Sequence, residues 1–174
     1  MRSFILAIDP GTTASGVVLM NATTYLPLYA EKLDNKKFLD TVADILPGWP
    51  HDENVEAVIE MVGHYGTGMP VGREIFDTCI WIGRFWQKLE ALGIHVETMI
   101  RKAVVATICG SARANDAHVH TALCDRFAFG QPNFGKGTKS HPGWFYGFRA
   151  DIWQAYALGT AYLDSKKIQE QNNG

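Results

Sequence analysis

The chain has 174 residues, 47% of them hydrophobic and 20% charged, with a formal net charge of −2. That length holds one substantial core and excludes two full domains, and the charge excludes whole-protein attraction to phosphate, so a nucleic-acid partner would need a local basic patch. No run approaches the ~20 apolar residues of a membrane span, the N-terminus has no signal-peptide pattern, and Cys79, Cys109 and Cys124 lack CxxC spacing, so reduced core thiols in a soluble, cytoplasmic protein are expected.

Residues 3–9 and 15–20 read as two buried strands joined by a turn at Pro10 and Gly11. The first delivers Asp9 into that turn beside main-chain amides, a setting that suits a metal ion or a phosphate. A third short strand is expected from Thr24 to Ala30. Three consecutive antiparallel strands with no helix between them argue against a doubly wound fold. Phe38, Leu39, Val42, Ile45 and Leu46 then recur at helical spacing, and Pro47-Gly48 stops that helix.

Val55 to Val62 is the fourth strand, with Glu56 near its exposed start and Glu60 at its far end. The Gly-rich stretch Gly63 to Pro70 reads as an irregular, mobile loop. A long helix from Gly72 to Leu92 carries Ile75, Cys79, Ile82, Trp86 and Leu89 on one face, widened by Phe76, Ile80 and Phe85, as for deep burial or a partner subunit. Ile94 to Met99 forms a fifth strand, and helical signals resume at Arg101. Ala114 to Phe127 is a second amphipathic helix with Val119, Leu123 and Phe127 inward. Phe129 to Gly147, with five glycines and two prolines, reads as a long loop. The last helix is expected from Asp151 to about Leu163, followed by a polar tail that frays from Gln169. The whole chain, residues 1–174, is one domain with its polar tail from about residue 165.

Three acids fall at element ends: Asp9 closing strand one, Glu60 closing strand four and Asp151 opening the last helix. Each has a plainer reading, as a turn residue before Pro-Gly, a solvated rim charge and a helix N-cap. If strands one and four are neighbours, Asp9 and Glu60 meet at one sheet edge and Asp151 reaches them from the helix. Clustered carboxylates repel unless a cation neutralises them, and hard oxygen ligands suit Mg²⁺ or Mn²⁺.

Ile8-Asp9-Pro10-Gly11 with Gly16, then Val58-Ile59-Glu60, and Asp151 to Leu158, in this order of strands and helices, resemble the RNase H-like nucleases. Within them the chain is most similar to RuvC-type Holliday-junction resolvases of phage type. Arg101-Lys102-Ala103-Val104 and Ala112 to Asp116 resemble the family's basic segment and the start of its next helix. The resemblance implies an α/β fold: a five-stranded mixed sheet, three antiparallel strands then parallel ones, flanked by helices. It implies a Mg²⁺-dependent endonuclease that cuts branched DNA by two-metal hydrolysis, with Asp9, Glu60 and Asp151 as catalytic and metal-binding residues, and a homodimer as the working unit. Where the family has a second acid three residues after the first, this chain has Gln154. Gln154 or Asp116 is then the candidate further ligand, or catalysis is weakened.

Basic groups gather locally: Arg101, Lys102, Arg113, Lys136, Lys139, His141 and Arg149. They read as ordinary solvated charge or as a DNA-phosphate clamp. Tyr65, in the loop after Glu60, either closes over the core or stacks on an exposed base. His118 and His120 are two apart and diverge on a helix, so no zinc site is expected there; His95, Trp81, Trp86 and Trp153 read as structural. Two further function classes stay open: a non-catalytic branched-DNA-binding module, motivated by Gln154, and an actin-like or sugar-kinase-type ATP-binding domain, which Asp9-Pro10-Gly11-Thr12-Thr13 also resembles.

Overall fold

Apolar alternation and register build the scaffold, as seen in a computed structural model that describes residues 3–46, 54–63 and 72–172. Strands β1 (Phe4–Asp9), β2 (Ala14–Asn21) and β3 (Pro27–Asp34) form the antiparallel meander. Helix α1 (Asn35–Ile45) leads to β4 (Val55–Met61), which joins β1 in parallel, and α2 (Arg73–Ala91) leads to β5 (His95–Ile100), parallel to β4. Helices α3 (Arg101–Cys109), α4 (Asp116–Phe127) and α5 (Asp151–Asn172) complete the chain. The sheet order is β3-β2-β1-β4-β5, the mixed five-stranded architecture expected.

The sheet separates two apolar cores. One face carries Leu6, Ile8, Val17, Leu19 and Ile59 against Phe38 and Val42 of α1 and Ile82, Phe85 and Leu89 of α2. The other carries Ile5, Ala7, Val18, Met20 and Val58 against α5, α3 and α4. Because side chains alternate along a strand, Asp9, Gly16 and Glu60 share the face that α5 covers. Gly159 lets α5 approach closely, since a Cβ there would collide with Met20 and Ala7. Gly16 does the same at the helix start, where a Cβ would overlap the main-chain carbonyl of Asp151. No helix among the described residues is long and apolar enough to cross a membrane.

Several boundaries differ from the sequence expectation. β3 starts later and runs to Asp34, because residues 21–26 form a turn: Asn21 accepts from the amides of Thr23 and Thr24, and Tyr25 has φ 64°. α5 continues to Asn172 rather than ending near Leu163, its charged turns held by Arg126 to Asp164 at 2.6 Å and Lys166 to Glu56 at 3.5 Å. On α2 only Ile82, Phe85 and Leu89 are fully buried, while Phe76 and Ile80 are 60% and 59% exposed. Cys79 is exposed rather than in the core, Cys109 is intermediate and Cys124 buried, and all three are free thiols. The stretch from Phe129 to Gly147 is irregular but closely bonded, with Phe145 N–H to Gly135 O at 2.9 Å and Gly143 N–H to Lys136 O at 3.0 Å. The expected loop from Gly63 to Pro70 lies mostly outside the described residues, as do Pro47-Gly48 and the last two residues of the tail.

Replacing Gly16 with Ala is expected to force α5 away from β2 and cost about 1–3 kcal/mol. A thermal melt should show a drop of roughly 2–4 °C per kcal/mol for a chain of this size; an unchanged melting temperature would contradict this packing.

Candidate metal centre

Register brings the first two acids together. β1 and β4 pair in parallel as far as Ile8 opposite Ile59, so Asp9 and Glu60 are the next pair along, side by side at the strand ends. Asp9 lies opposite Gly16 of β2. The bare surface at Gly16 receives the backbone of Asp151, the first residue of α5, and this delivers the third acid to the same edge. All three sequence-predicted acids therefore converge. Asp151 lies within α5's first turn, one residue past Ala150 at φ 36°, rather than as a separate N-cap.

The turn after Asp9 is fixed by a buried network that the sequence did not suggest. Ser15 Oγ donates to Asn35 Oδ1 at 2.7 Å, Asn35 Nδ2 donates to Gly11 O at 2.9 Å, and the Gly11 amide donates to Ser15 Oγ at 3.3 Å. The Gly11 amide is thus engaged within the protein, which weakens the phosphate-loop reading of this turn. Ser and Asn twenty residues apart leave no local sequence signal for such a contact.

The electrostatics reflect crowded acids in a partly dry site. Burial, followed by the nearby charges of Glu60 and Asp151, raises the Asp9 pKa to about 8, with Arg101 opposing. Burial also raises Glu60 to about 7, opposed by Arg101 and reinforced by Asp116. Glu60 is only 17% exposed, and among the described residues its Oε2 has no hydrogen-bond partner; Arg101 Nη1, likewise without a hydrogen bond, forms an ion pair with it at 3.8 Å. The other Arg101 amino group meets Asp116 Oδ1. Asp151 Oδ2 meets Lys32 Nζ at 2.5 Å. Gln154, one turn along α5, has a buried Oε1 with no partner. A cleft of about 330 Å³ opens onto Asp9, Glu60 and Arg101, walled by Pro10, Gly11 and Thr78.

These oxygens suit a hard divalent cation. Buried acceptors without donors cost free energy, and a cation beside Glu60 Oε2 would satisfy that oxygen. Mutual repulsion among the acids would be relieved by the same ion. Nitrogen and sulfur ligands are absent from this group, which disfavours zinc and favours Mg²⁺ or Mn²⁺.

The predicted basic residues are distributed unevenly. Arg101 begins α3 directly after β5 and turns inward to Glu60 and Asp116, so Asp116 pairs with a cation instead of standing free as a ligand. Lys102, Arg113, Lys139 and Arg149 are exposed and Lys136 is half-buried. Tyr65 lies outside the described residues. His118 caps α4 through Asn115, whereas His120 packs on Trp153 with ring centres 4.1 Å apart, so the two diverge as expected.

A second group was missed. Glu56, His95 and Glu97 lie close enough together to hold a metal ion, on the α5 face but at the opposite end of the sheet, roughly 13 Å along β4 at ~3.3 Å per residue. The His-x-Glu alternation in β5 was the available signal. Here, though, the oxygens have partners: Tyr162 Oη donates to Glu56 Oε1 at 2.6 Å, and Lys166 Nζ lies 3.5 Å from Glu56 and 3.7 Å from Glu97.

No family model and no curated protein sequence matches the chain. Solved structures match its fold, among them two of RuvC. T. thermophilus RuvC in complex with a Holliday junction substrate aligns with TM-score 0.68 and 14% identity, covering 96% of each chain. A Thermus thermophilus RuvC structure aligns with TM-score 0.65 and 11% identity, covering 95% of this chain and 96% of that one. At such identity the likeness establishes the fold, which is RNase H-like.

The raised pKa of Asp9 has a measurable sign. The folded chain keeps this proton up to about pH 8, whereas an ordinary Asp releases it near 3.8. Stability contributed by this group is therefore full below about pH 4 and is lost as pH rises through 8. Without metal, Asp9→Asn should melt above the wild type at pH 8, and the difference should close below pH 4. Parallel melting curves across that range would contradict a buried, crowded Asp9.

Proposed function

We propose that the chain is a divalent-metal-dependent endonuclease acting on branched DNA, Holliday junctions in particular. The observation that carries this reading is the convergence of Asp9, Glu60 and Asp151 at one sheet edge, with Glu60 Oε2 buried and without a hydrogen-bond donor among the described residues. The likeness in fold to RuvC, one structure of which is described with a Holliday junction substrate, supports the choice of DNA.

Asp9, central in the row, would be the shared ligand, with Glu60 and Asp151 on either side; two Mg²⁺ or Mn²⁺ ions, with Gln154 as a further oxygen, are the form the sequence resemblance implies. A bound ion of this kind supplies an acidified water and neutralises charge on the phosphate in hydrolysis. The chain's own residues prepare that chemistry. Arg101 holds Glu60 in place and moderates its repulsion with Asp9, while the Ser15–Asn35 network fixes the turn that aims Asp9. No side-chain nucleophile is required.

Lys102, Arg113, Lys136, Lys139 and Arg149 are the residues we assign to DNA phosphates, and Tyr65 to an exposed base. Two coordinated cuts in a symmetric junction call for a two-fold dimer, and the exposed Phe76 and Ile80 on α2 are the face assigned to it.

Incubated with a synthetic four-way junction and Mn²⁺ or Mg²⁺, the protein is expected to release nicked duplex arms. Asp9→Asn and Glu60→Gln should each lower the rate by about 10³-fold or more, and a chelator should stop it. A junction bound but left intact in every metal would make the chain a non-catalytic binding module. Stabilisation by ATP without any cleavage would point to the nucleotide-binding alternative. Cleavage that survives both substitutions would remove these acids from the mechanism.

A further inference from the structure

Register carries one more charged group into the row of acids. Lys32 of β3 lies opposite Gly16, and Gly16 lies opposite Asp9. Residues directly opposite one another in antiparallel strands project from the same face. Lys32 and Asp9 therefore flank the bare surface at Gly16, on the side that α5 covers. The backbone of Asp151 fills that surface, which sets its carboxylate between the two, and Lys32 Nζ meets Asp151 Oδ2 at 2.5 Å. At the other end of the row Arg101 meets Glu60 and Asp116.

The charge balance of this arrangement is specific. The acids that act on Asp9 are Glu60, Asp151 and Asp116. With Asp9 they make four carboxylates, set against the two fixed cations Lys32 and Arg101. Full ionisation leaves an excess of two negative charges, which one divalent ion cancels and two would overshoot. Gln154 fits the same balance. One turn along α5 from Asp151, it is an amide and adds no charge to hold a second dication.

We infer that Lys32 stands in for a second metal ion: its ammonium neutralises Asp151 from the β3 side, so the centre takes a single divalent cation at Asp9 and Glu60. This deepens the proposed metal-dependent function, on which it rests, and replaces its two-ion form. Lys32 is a positioning residue, acting through Asp151. Asp151 is then held by a permanent covalent part of the chain rather than by an exchangeable ion.

The pair is tested by counting ions. Side chains of Lys32 and Asp151 are 41% and 36% exposed, and an ion pair this accessible adds little to stability, so Lys32 can be replaced without unfolding the chain; circular dichroism melts check this. Metal-free protein at pH 8 is titrated with Mn²⁺ in the absence of DNA, and free Mn²⁺ is read by electron paramagnetic resonance. Wild type should bind one Mn²⁺ per chain, Lys32→Met and Lys32→Gln two, and Lys32→Arg, which keeps the charge, one. Two ions in the wild type, or a single ion in both neutral variants, would overturn the inference. The junction assay separates the two claims. A wild type that cuts junctions while binding two ions loses only the role of Lys32. One that binds a single ion, gains a second in the neutral variants and cuts nothing loses the nuclease reading while the ion count stands. Binding of no Mn²⁺ at all would overturn both.

Discussion

Two half-buried carboxylates side by side at the ends of adjacent parallel strands set the terms for the rest of this molecule. Asp9 and Glu60 follow directly from Ile8 and Ile59, whose pairing is locked by apolar cores on both faces of the sheet. A one-residue slip would send both acids to the opposite face and the core residues after them, so the acids cannot separate without dismantling the sheet. Their repulsion must be met in place. The protein meets part of it with Arg101 at one end of the row and Lys32 at the other, and among the described residues Glu60 Oε2 and Gln154 Oε1 have no hydrogen-bond donor. The proposed cation would complete the neutralisation of this row.

The elements whose apolar pattern is strong were legible before any coordinates. β1, β2 and β4 were legible as strands, but bringing Asp9 and Glu60 to one edge rested on the condition that β1 and β4 are neighbours, which the parallel pairing meets. Asp151 was legible as a helix start but not as a group paired with Lys32. β3 has no clean alternation, with most of its residues exposed or half-buried, so its register, and hence Lys32, could not be read. Arg101 looked like one member of a basic run. Its direction depends on α3 beginning immediately after β5, a three-dimensional fact. Periodicity identified the apolar residues of α2 but not which of them another element covers, and Phe76 and Ile80 stay outside.

Two ends of one sheet face make an instructive contrast. At the Glu56 end, His95, Glu97, Lys166 and Tyr162 saturate one another, and α5 is tied down over its last turns. At the Asp9 end, the same helix begins over a glycine and its acid is shared between a lysine and the carboxylate row. Proximity of ligand atoms alone would favour the Glu56 end, where Glu56, His95 and Glu97 lie within 4.8 Å of one another. A buried carboxylate oxygen without a donor, Glu60 Oε2, distinguishes the Asp9 end, because an ion could accept its lone pair.

Location of the ion is the most direct test. Crystals soaked in Mn²⁺ at pH 8 and measured for anomalous scattering should show a peak between the carboxylates of Asp9 and Glu60. A peak among Glu56, His95 and Glu97 with none at Asp9, or no peak at either end, would contradict the assignment of this edge as the metal centre.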